Sequence, residues 1–172
     1  MTVLMMSDLE PALSYVEVVR ATERRLLRLG VMLTGNTHTA EDLVQTVLAR
    51  AHRKWARISR VDRPEAYLRT MVVNEFLSWR RLLKNNEVLL AEPIERPAHD
   101  DLGLRQAQRD ATWQLLATLP RKQRAVLVLR YYEDLPDAEI AELLGVAAAT
   151  VRSNAARALA TLREHLTAEE AS

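Results

Sequence analysis

The sequence has no cysteine and little glycine, proline or phenylalanine: of 172 residues, four are Gly, six are Pro and one is Phe. Without cysteine the chain cannot form disulfides, zinc ribbons or iron–sulfur clusters, and thiol chemistry is excluded. So few glycines leave no material for a Gly-rich phosphate loop or a dinucleotide-binding turn. We therefore expect no cofactor and no metal, and most classes of enzyme are excluded.

Long apolar runs are also missing. The longest, such as residues 125–129, are far shorter than the roughly 20 residues that a membrane span needs. The first residues have neither the basic segment nor the small-residue cleavage site of a secretory signal. We expect a cytoplasmic protein with no membrane insertion.

The charge is nearly balanced in total but uneven along the chain. Lys and Arg number 24 and Asp and Glu number 23, for a net charge of +1. Residues 13–84 hold 14 Lys/Arg and 7 Asp/Glu, a net charge of +7, whereas residues 85–110 hold 3 and 6, a net charge of −3. A basic segment of this kind attracts phosphate, although arginine-rich helices can also be merely solvated surfaces.

The apolar residues follow a helical period nearly everywhere, which predicts an all-α protein. Between two helical lobes, Pro93, Pro97 and Gly103 stand among acidic residues without that period, and this predicts an irregular, flexible acidic linker. The predicted organisation is an N-terminal tail, a first lobe, a linker, a second lobe and a C-terminal tail, at residues 1–12, 13–84, 85–109, 110–168 and 169–172.

Two helices of the first lobe carry candidate surfaces. One is predicted to begin at Thr39 as its cap, with one buried stripe and a polar face that holds Asp42, Gln45 and Thr46. The residues alone favour a merely solvated surface for this face. The other is predicted to begin after Asp62 as its N-cap, with Pro64 in the first turn. Its aromatic and basic residues suit unpaired bases and phosphates, since rings stack on bases, but the rings could equally lie in the core. Those residues are Tyr67, Arg69, Asn74, Ser78, Trp79 and Arg81.

The second lobe carries a predicted helix-turn-helix. A helix over residues 121–132 precedes a short helix over residues 137–144, a turn at Gly145 and a long helix over residues 147–166. The N-terminal residues of the second helix of such a pair enter the DNA major groove, where Arg can bond to guanine and Asn to adenine. The outward residues there are Thr150, Arg152, Ser153, Asn154 and Arg157. A plain helical hairpin is the alternative.

Three stretches together resemble a known family over residues 15–166. LLRLGVMLTGNTHTAEDLVQTVLARAHRKW is similar to regions 2.1 and 2.2, and RPEAYLRTMVVNEFLSWRR to regions 2.3 and 2.4, of extracytoplasmic-function (ECF) sigma factors of bacterial RNA polymerase. LPRKQRAVLVLRYYEDLPDAEIAELLGVAAATVRSNAARALATLR is similar to their region 4. Within the sigma-70 superfamily, the chain looks closest to the actinobacterial SigE-type group.

The resemblance implies a function and a role for each surface. A sigma factor binds core RNA polymerase and directs promoter-specific initiation, making and breaking no bond itself. Its region 2.2 helix docks on the β′ clamp helices, which implies that role for Asp42, Gln45 and Thr46, and region 4 meets the β flap. Regions 2.3 and 2.4 melt and read the −10 element, which adds Arg60 and Asp62 to the six residues above. Region 4 reads the −35 element through the five residues of its recognition helix.

The resemblance also implies an anti-sigma factor as a further partner. One departure is clear: the family commonly has Ser where Ala147 stands, and the loss of this Ser removes a helix cap at a cost of about 1 kcal/mol.

Two alternatives to a sigma factor remain open. A free-standing helix-turn-helix regulator would bind operator duplex without polymerase. An all-helical enzyme would need histidines with acidic or metal partners, and the four histidines form neither a His-x-x-x-His nor a Glu-x-x-His motif.

Overall fold

The computed structural model describes residues 13–83 and 103–172, with side chains described throughout except at residues 79–83 and 103–109. Regular structure in those ranges is entirely helical, which confirms the all-α class. The predicted tail at residues 1–12 and most of the predicted linker lie outside the described residues. The helices are α1 Tyr15–Thr34, α2 Thr37–Arg53, α3 Trp55–Ile58, α4 Pro64–Leu83, α5 Gly103–Ala117, α6 Arg121–Leu127, α7 Asp137–Leu144 and α8 Ala148–Glu170.

The junction of α1 and α2 is set by Gly35 and Asn36. Gly35 takes the left-handed conformation at φ 72° and its N–H donates to Val31 O, which ends α1. The Asn36 side chain accepts a hydrogen bond from the Thr39 N–H at 2.9 Å, and α2 therefore begins at Thr37. The predicted start at Thr39 was wrong because Asn36, a better N-cap residue, lies three positions earlier and accepts the hydrogen bond of the Thr39 N–H itself.

The N-cap of α4 lies one residue later in the chain than predicted. Pro64 is the first helical residue, as expected, but the first helical bond runs from the Tyr67 N–H to Arg63 O at 3.1 Å. Arg63 is therefore the N-cap rather than Asp62, and Pro64 occupies N1, where its missing N–H costs nothing.

The second lobe contains the predicted helix-turn-helix. Gly145, at φ 65°, ends α7, and α8 begins directly after Ala147, whose methyl group makes no cap hydrogen bond. The helix predicted over residues 121–132 is α-helical only to Leu127, and Val128–Tyr132 form a π turn closed by the Glu133 N–H on Val128 O. At the N-terminal end of the second lobe, α5 begins at Gly103, inside the segment predicted to be irregular. The residues after Gly103 in this helix include no proline and are mostly good helix formers.

The two lobes share one apolar core. Buried side chains run from Leu29 and Phe76 in the first lobe to Leu129, Ile140 and Val151 in the second as one continuous cluster. Helix α6 and the π turn lie against α1, and α6 also lies against α4. The packing leaves one face of α2 and the start of α8 exposed, and it covers one side of α4.

Candidate functional site

The polar face of α2 is exposed as predicted. Leu43, Val44 and Val47 are buried on the opposite side, which fixes the rotation of the helix. Asp42 and Gln45 are exposed, and Thr46 is half-buried with its hydroxyl donating to Asp42 O at 2.8 Å. The Asp42 carboxylate has 63% of its side chain exposed and lies 3.9 Å from the imidazole of His38. This face offers a solvated carboxylate and an amide to a basic or polar partner surface.

One face of α4 gathers three of the predicted −10 residues. Seven and eleven residues separate Asn74 and Ser78 from Tyr67, so at about 100° per residue all three lie within roughly 20° of one line along the helix. Asn74 and Ser78 are exposed, while Tyr67 is half-buried and packs against the core with its apolar ring. The ring of Tyr67 is thus partly in the core and partly at the surface, and its contact with a base stays a prediction.

The turn before α4 presents Arg60 and Asp62, and both are exposed. They stand on the same lobe as the α4 face but before its first turn, and the Arg60 N–H donates to Arg57 O at 3.3 Å at the end of α3. Trp79 and Arg81 lie on the last turns of α4, and their side chains fall outside the described residues.

Arg69 does not join this face. Two residues after Tyr67, it projects about 200° around the helix, toward the second lobe. Its side chain is 9% exposed, and its guanidinium contacts Glu133 at 3.5 Å and Glu139 at 3.2 Å. In this arrangement Arg69 is covered by the second lobe and is not accessible to DNA.

The start of α8 presents the predicted recognition residues. Thr150, Arg152, Ser153 and Arg157 are exposed and Asn154 is half-buried, while Val151, Ala155 and Ala158 face the core. The four exposed residues supply two guanidinium groups and two hydroxyls, and the half-buried Asn154 adds an amide. These are donors and acceptors that read base edges or bind phosphate.

Sequence patterns did not indicate the polar residues that join the lobes. Arg124 donates to Leu33 O at the end of α1 and to Leu116 O and Leu119 O at the end of α5, at 2.9, 3.0 and 3.1 Å. Burial, reinforced by the neighbouring Arg121, lowers the pKa of Arg124 below its usual value. In the sequence Arg124 directly precedes the apolar run of residues 125–129, and nothing else distinguishes it from the neighbouring Arg121 and Lys122.

The fold and these surfaces define a helical protein with two lobes and a helix-turn-helix. Residues 18–85 match the family model "Sigma-70 region 2", and residues 109–162 match "Sigma-70, region 4". The RNA polymerase sigma-E factor of Streptomyces coelicolor is 39% identical over 158 residues, which cover 92% of this chain and 89% of that protein. The ECF RNA polymerase sigma factor SigE of Mycolicibacterium smegmatis is 33% identical, covering 89% and 62%.

A solved structure has the same fold. The sigma factor RpoE of Bartonella quintana, crystallised in complex with the anti-sigma factor NepR, superimposes with a TM-score of 0.68 at 24% identity, covering 89% of this chain and 96% of that one. This chain belongs to the ECF sigma factors of the sigma-70 family, as its motifs predicted. The family is one of transcription initiation factors rather than enzymes. Among the helices of the described ranges, none is long and apolar enough to cross a membrane.

Proposed function

We propose that this chain binds core RNA polymerase and directs it to promoters, with a separate surface for each contact. The α2 face of Asp42, Gln45 and Thr46 meets the β′ clamp helices, and region 4 meets the β flap. The exposed turn and face of α4 read and melt the −10 element, and the start of α8 reads the −35 element. The observation that carries this proposal is that most of these residues are exposed and fall on three distinct elements of a sigma-70 fold.

The division of labour follows from charge and chemistry. The first lobe region, residues 13–84, has a net charge of +7, which favours the phosphates of melted DNA. Opening a duplex costs a few kcal/mol for each unstacked base, and this cost is recovered when a flipped base is held by the protein. The −35 element remains duplex and is read by the helix-turn-helix. The protein itself catalyses nothing, and since polymerase and chromosome share the bacterial cytoplasm, we place its action there.

The decisive experiment is transcription by core enzyme with the purified full-length chain on a library of genomic fragments, followed by sequencing of the 5′ ends. The expected result is a set of defined start sites that are absent with core enzyme alone. If no fragment yields such starts while the isolated protein binds specific duplexes tightly, the free-standing regulator is the better description.

A variant tests the polymerase contact. Asp42→Ala with Gln45→Ala removes a charged and a neutral hydrogen-bonding group from the α2 face, and loss of a bond to a charged group costs about 1.5–3 kcal/mol. We expect at least about tenfold weaker binding to core enzyme and unchanged binding to −35 duplex. Glu164→Ala, an exposed carboxylate on α8, is the matched control. Equal affinity of variant and control for core enzyme would remove the α2 face from the interface.

An anti-sigma factor completes the set of proposed partners. The relative from Bartonella quintana was crystallised with one, and this chain shares its two-lobe fold. Co-purification of a protein with the full-length chain from its own host, lost on addition of excess core enzyme, is the expected sign of such a competitor.

A further inference from the structure

Helix α1 carries a row of three exposed arginines that none of the proposed contacts uses. Arg20, Arg24 and Arg28 are exposed and follow one another at intervals of four residues. At about 100° and 1.5 Å per residue, the row drifts by only about 40° at each step and spans about 12 Å along the helix axis. The three guanidinium groups therefore form one basic row, the α1 stripe, on the surface of the first lobe.

Packing directs the α1 stripe to solvent. Leu26, Leu29 and Leu33 are buried on the opposite side of α1, and the helix packs against α2 and α4. Arg25 is turned toward the second lobe instead and contacts Glu133 at 2.9 Å. Within residues 13–83 and 103–172, by contrast, no ion pair or side-chain hydrogen bond engages the stripe. Its charges are therefore available to a partner outside the chain.

The α1 stripe lowers rather than raises the stability of its helix. Like charges four residues apart on a helix repel each other, and the stripe holds two such pairs. Glu17, an exposed carboxylate of the same helix, accepts a hydrogen bond from the Ser14 N–H at 3.2 Å as part of the capping box rather than pairing with Arg20. A row of charges that costs stability and packs against nothing indicates a role in binding.

The chemistry of the stripe fits the backbone of duplex DNA. Proteins that hold single strands combine cations with aromatic rings, whereas Tyr15, the aromatic residue of α1, donates to Leu48 O at 3.0 Å on the core side of the helix. The adjacent α2 face exposes Glu41 and Asp42, so one polymerase surface would have to match opposite charges on neighbouring helices. A row about 12 Å long, by comparison, spans three to four phosphates of one strand at about 3.4 Å each.

We propose that the α1 stripe binds the phosphates of duplex promoter DNA beside the −10 element, as a sequence-independent contact in addition to those of α4 and α8. This inference rests on the proposed function, since it requires that the first lobe meets promoter DNA. Guanidinium groups donate paired hydrogen bonds to phosphate oxygens, which orients a protein on the duplex without reading its bases. Because such contacts release condensed counterions, they weaken as salt rises.

The salt dependence of promoter binding by holoenzyme, formed from core enzyme and the full-length chain, measures these contacts. Arg20→Gln with Arg24→Gln removes two charges and keeps good helix formers, and Lys122→Gln with Arg163→Gln removes two from exposed positions of the second lobe as the matched control. Each phosphate contact contributes about 0.9 to the slope of log affinity against log salt. The double variant should therefore reduce the magnitude of the slope by about 1.8, and the further change Arg28→Gln should bring the reduction to about 2.7.

The same slopes predict a difference in affinity that is large enough to measure. Over a fourfold rise in salt, holoenzyme with the wild-type chain should lose about tenfold more affinity for the promoter than holoenzyme with the double variant. The control should lose as much as the wild type. Affinity for core enzyme should be equal in variant and control, because the α2 face is intact in both. The melting temperature of the double variant should not fall, since the repulsion between Arg20 and Arg24 is removed.

The outcomes distinguish this inference from the proposed function. A smaller slope than in the control, with equal affinity for core enzyme, supports the DNA contact. Equal slopes in variant and control overturn it, while promoter-directed transcription continues to support the proposed function. A loss of affinity for core enzyme that is confined to the stripe variants also overturns it and assigns the stripe to polymerase. If holoenzyme with the wild-type chain binds no promoter more tightly than core enzyme does, the proposed function is wrong and this inference is wrong with it.

Discussion

Replacing Arg124 with Met should cause a large loss of stability, because its guanidinium donates hydrogen bonds to carbonyls at the C-terminal ends of both α1 and α5. It donates three bonds of 3.1 Å or less, to Leu33 O, Leu116 O and Leu119 O. A hydrogen bond from a charged donor contributes about 1.5–3 kcal/mol, so the three bonds together contribute about 4.5–9 kcal/mol. The lowered pKa of Arg124 shows that burial of its charge offsets part of this. We therefore expect a net loss of about 3–5 kcal/mol, as for other buried charge networks that lose one member.

Urea denaturation followed by circular dichroism and tryptophan fluorescence measures this loss. With a slope of about 2 kcal/mol per molar urea, the midpoint should fall by about 2 M if the transition is two-state. Lys122→Gln, an exposed change on the same helix, should shift stability by less than about 0.5 kcal/mol. Arg124→Lys keeps the charge but not the planar fork and should lie between the two. A loss below about 1 kcal/mol for Arg124→Met would refute the capping role.

Three smaller changes test local features. Ala147→Ser supplies the missing cap of α8 and should raise unfolding free energy by about 1 kcal/mol, whereas Ala149→Ser inside the first turn should not. Arg152→Ala should relax discrimination at one −35 base by about 1–3 kcal/mol, and an unaltered profile of bound promoter sequences would contradict that contact. Burial, together with Glu23, raises the pKa of Tyr15 above 10.0, so its stabilisation is complete below that pH and is lost as pH rises through the folded pKa. Tyr15→Phe should lower this alkaline sensitivity, measured as urea midpoints between pH 8 and 11.

The features that sequence reasoning placed well depend on neighbours within a few positions. The helix-turn-helix was found because Gly145 alone satisfies a left-handed helix end there and apolar residues recur at helical spacing on both sides. The buried stripe of α2 followed from the same period. Choice of cap is also local, yet Asn36 and Thr39 are both good caps and spacing alone could not rank them.

The features that sequence reasoning missed depend on residues far apart in the chain. Arg69 looked like a DNA contact because it stands among aromatic and basic residues, but its partner Glu139 is 70 positions away and lies in the other lobe. Helical periodicity also does not predict the π turn after α6, because its apolar residues keep nearly the same spacing as in an α-helix. Glu133 directly follows this turn, and its carboxylate contacts Arg25 and Arg69. Periodicity reports which side of a helix is apolar; it does not report which charged residue will be covered by another lobe.

The near-zero net charge of the chain conceals a basic first lobe that is partly neutralised by acidic residues of the second lobe. Counted by lobe, residues 13–84 have a net charge of +7. Residues 111–172 hold 7 Lys/Arg and 8 Asp/Glu, a net charge of −1. In the folded protein Glu133 and Glu139 contact Arg69 of the first lobe, so part of that positive charge is compensated at contact distance. Association with single-stranded DNA should therefore be faster and more sensitive to salt in Glu139→Gln, which removes one of these acids, than in Glu142→Gln, which removes an exposed carboxylate elsewhere on α7. The reason is that steering depends on the local field rather than on the total charge.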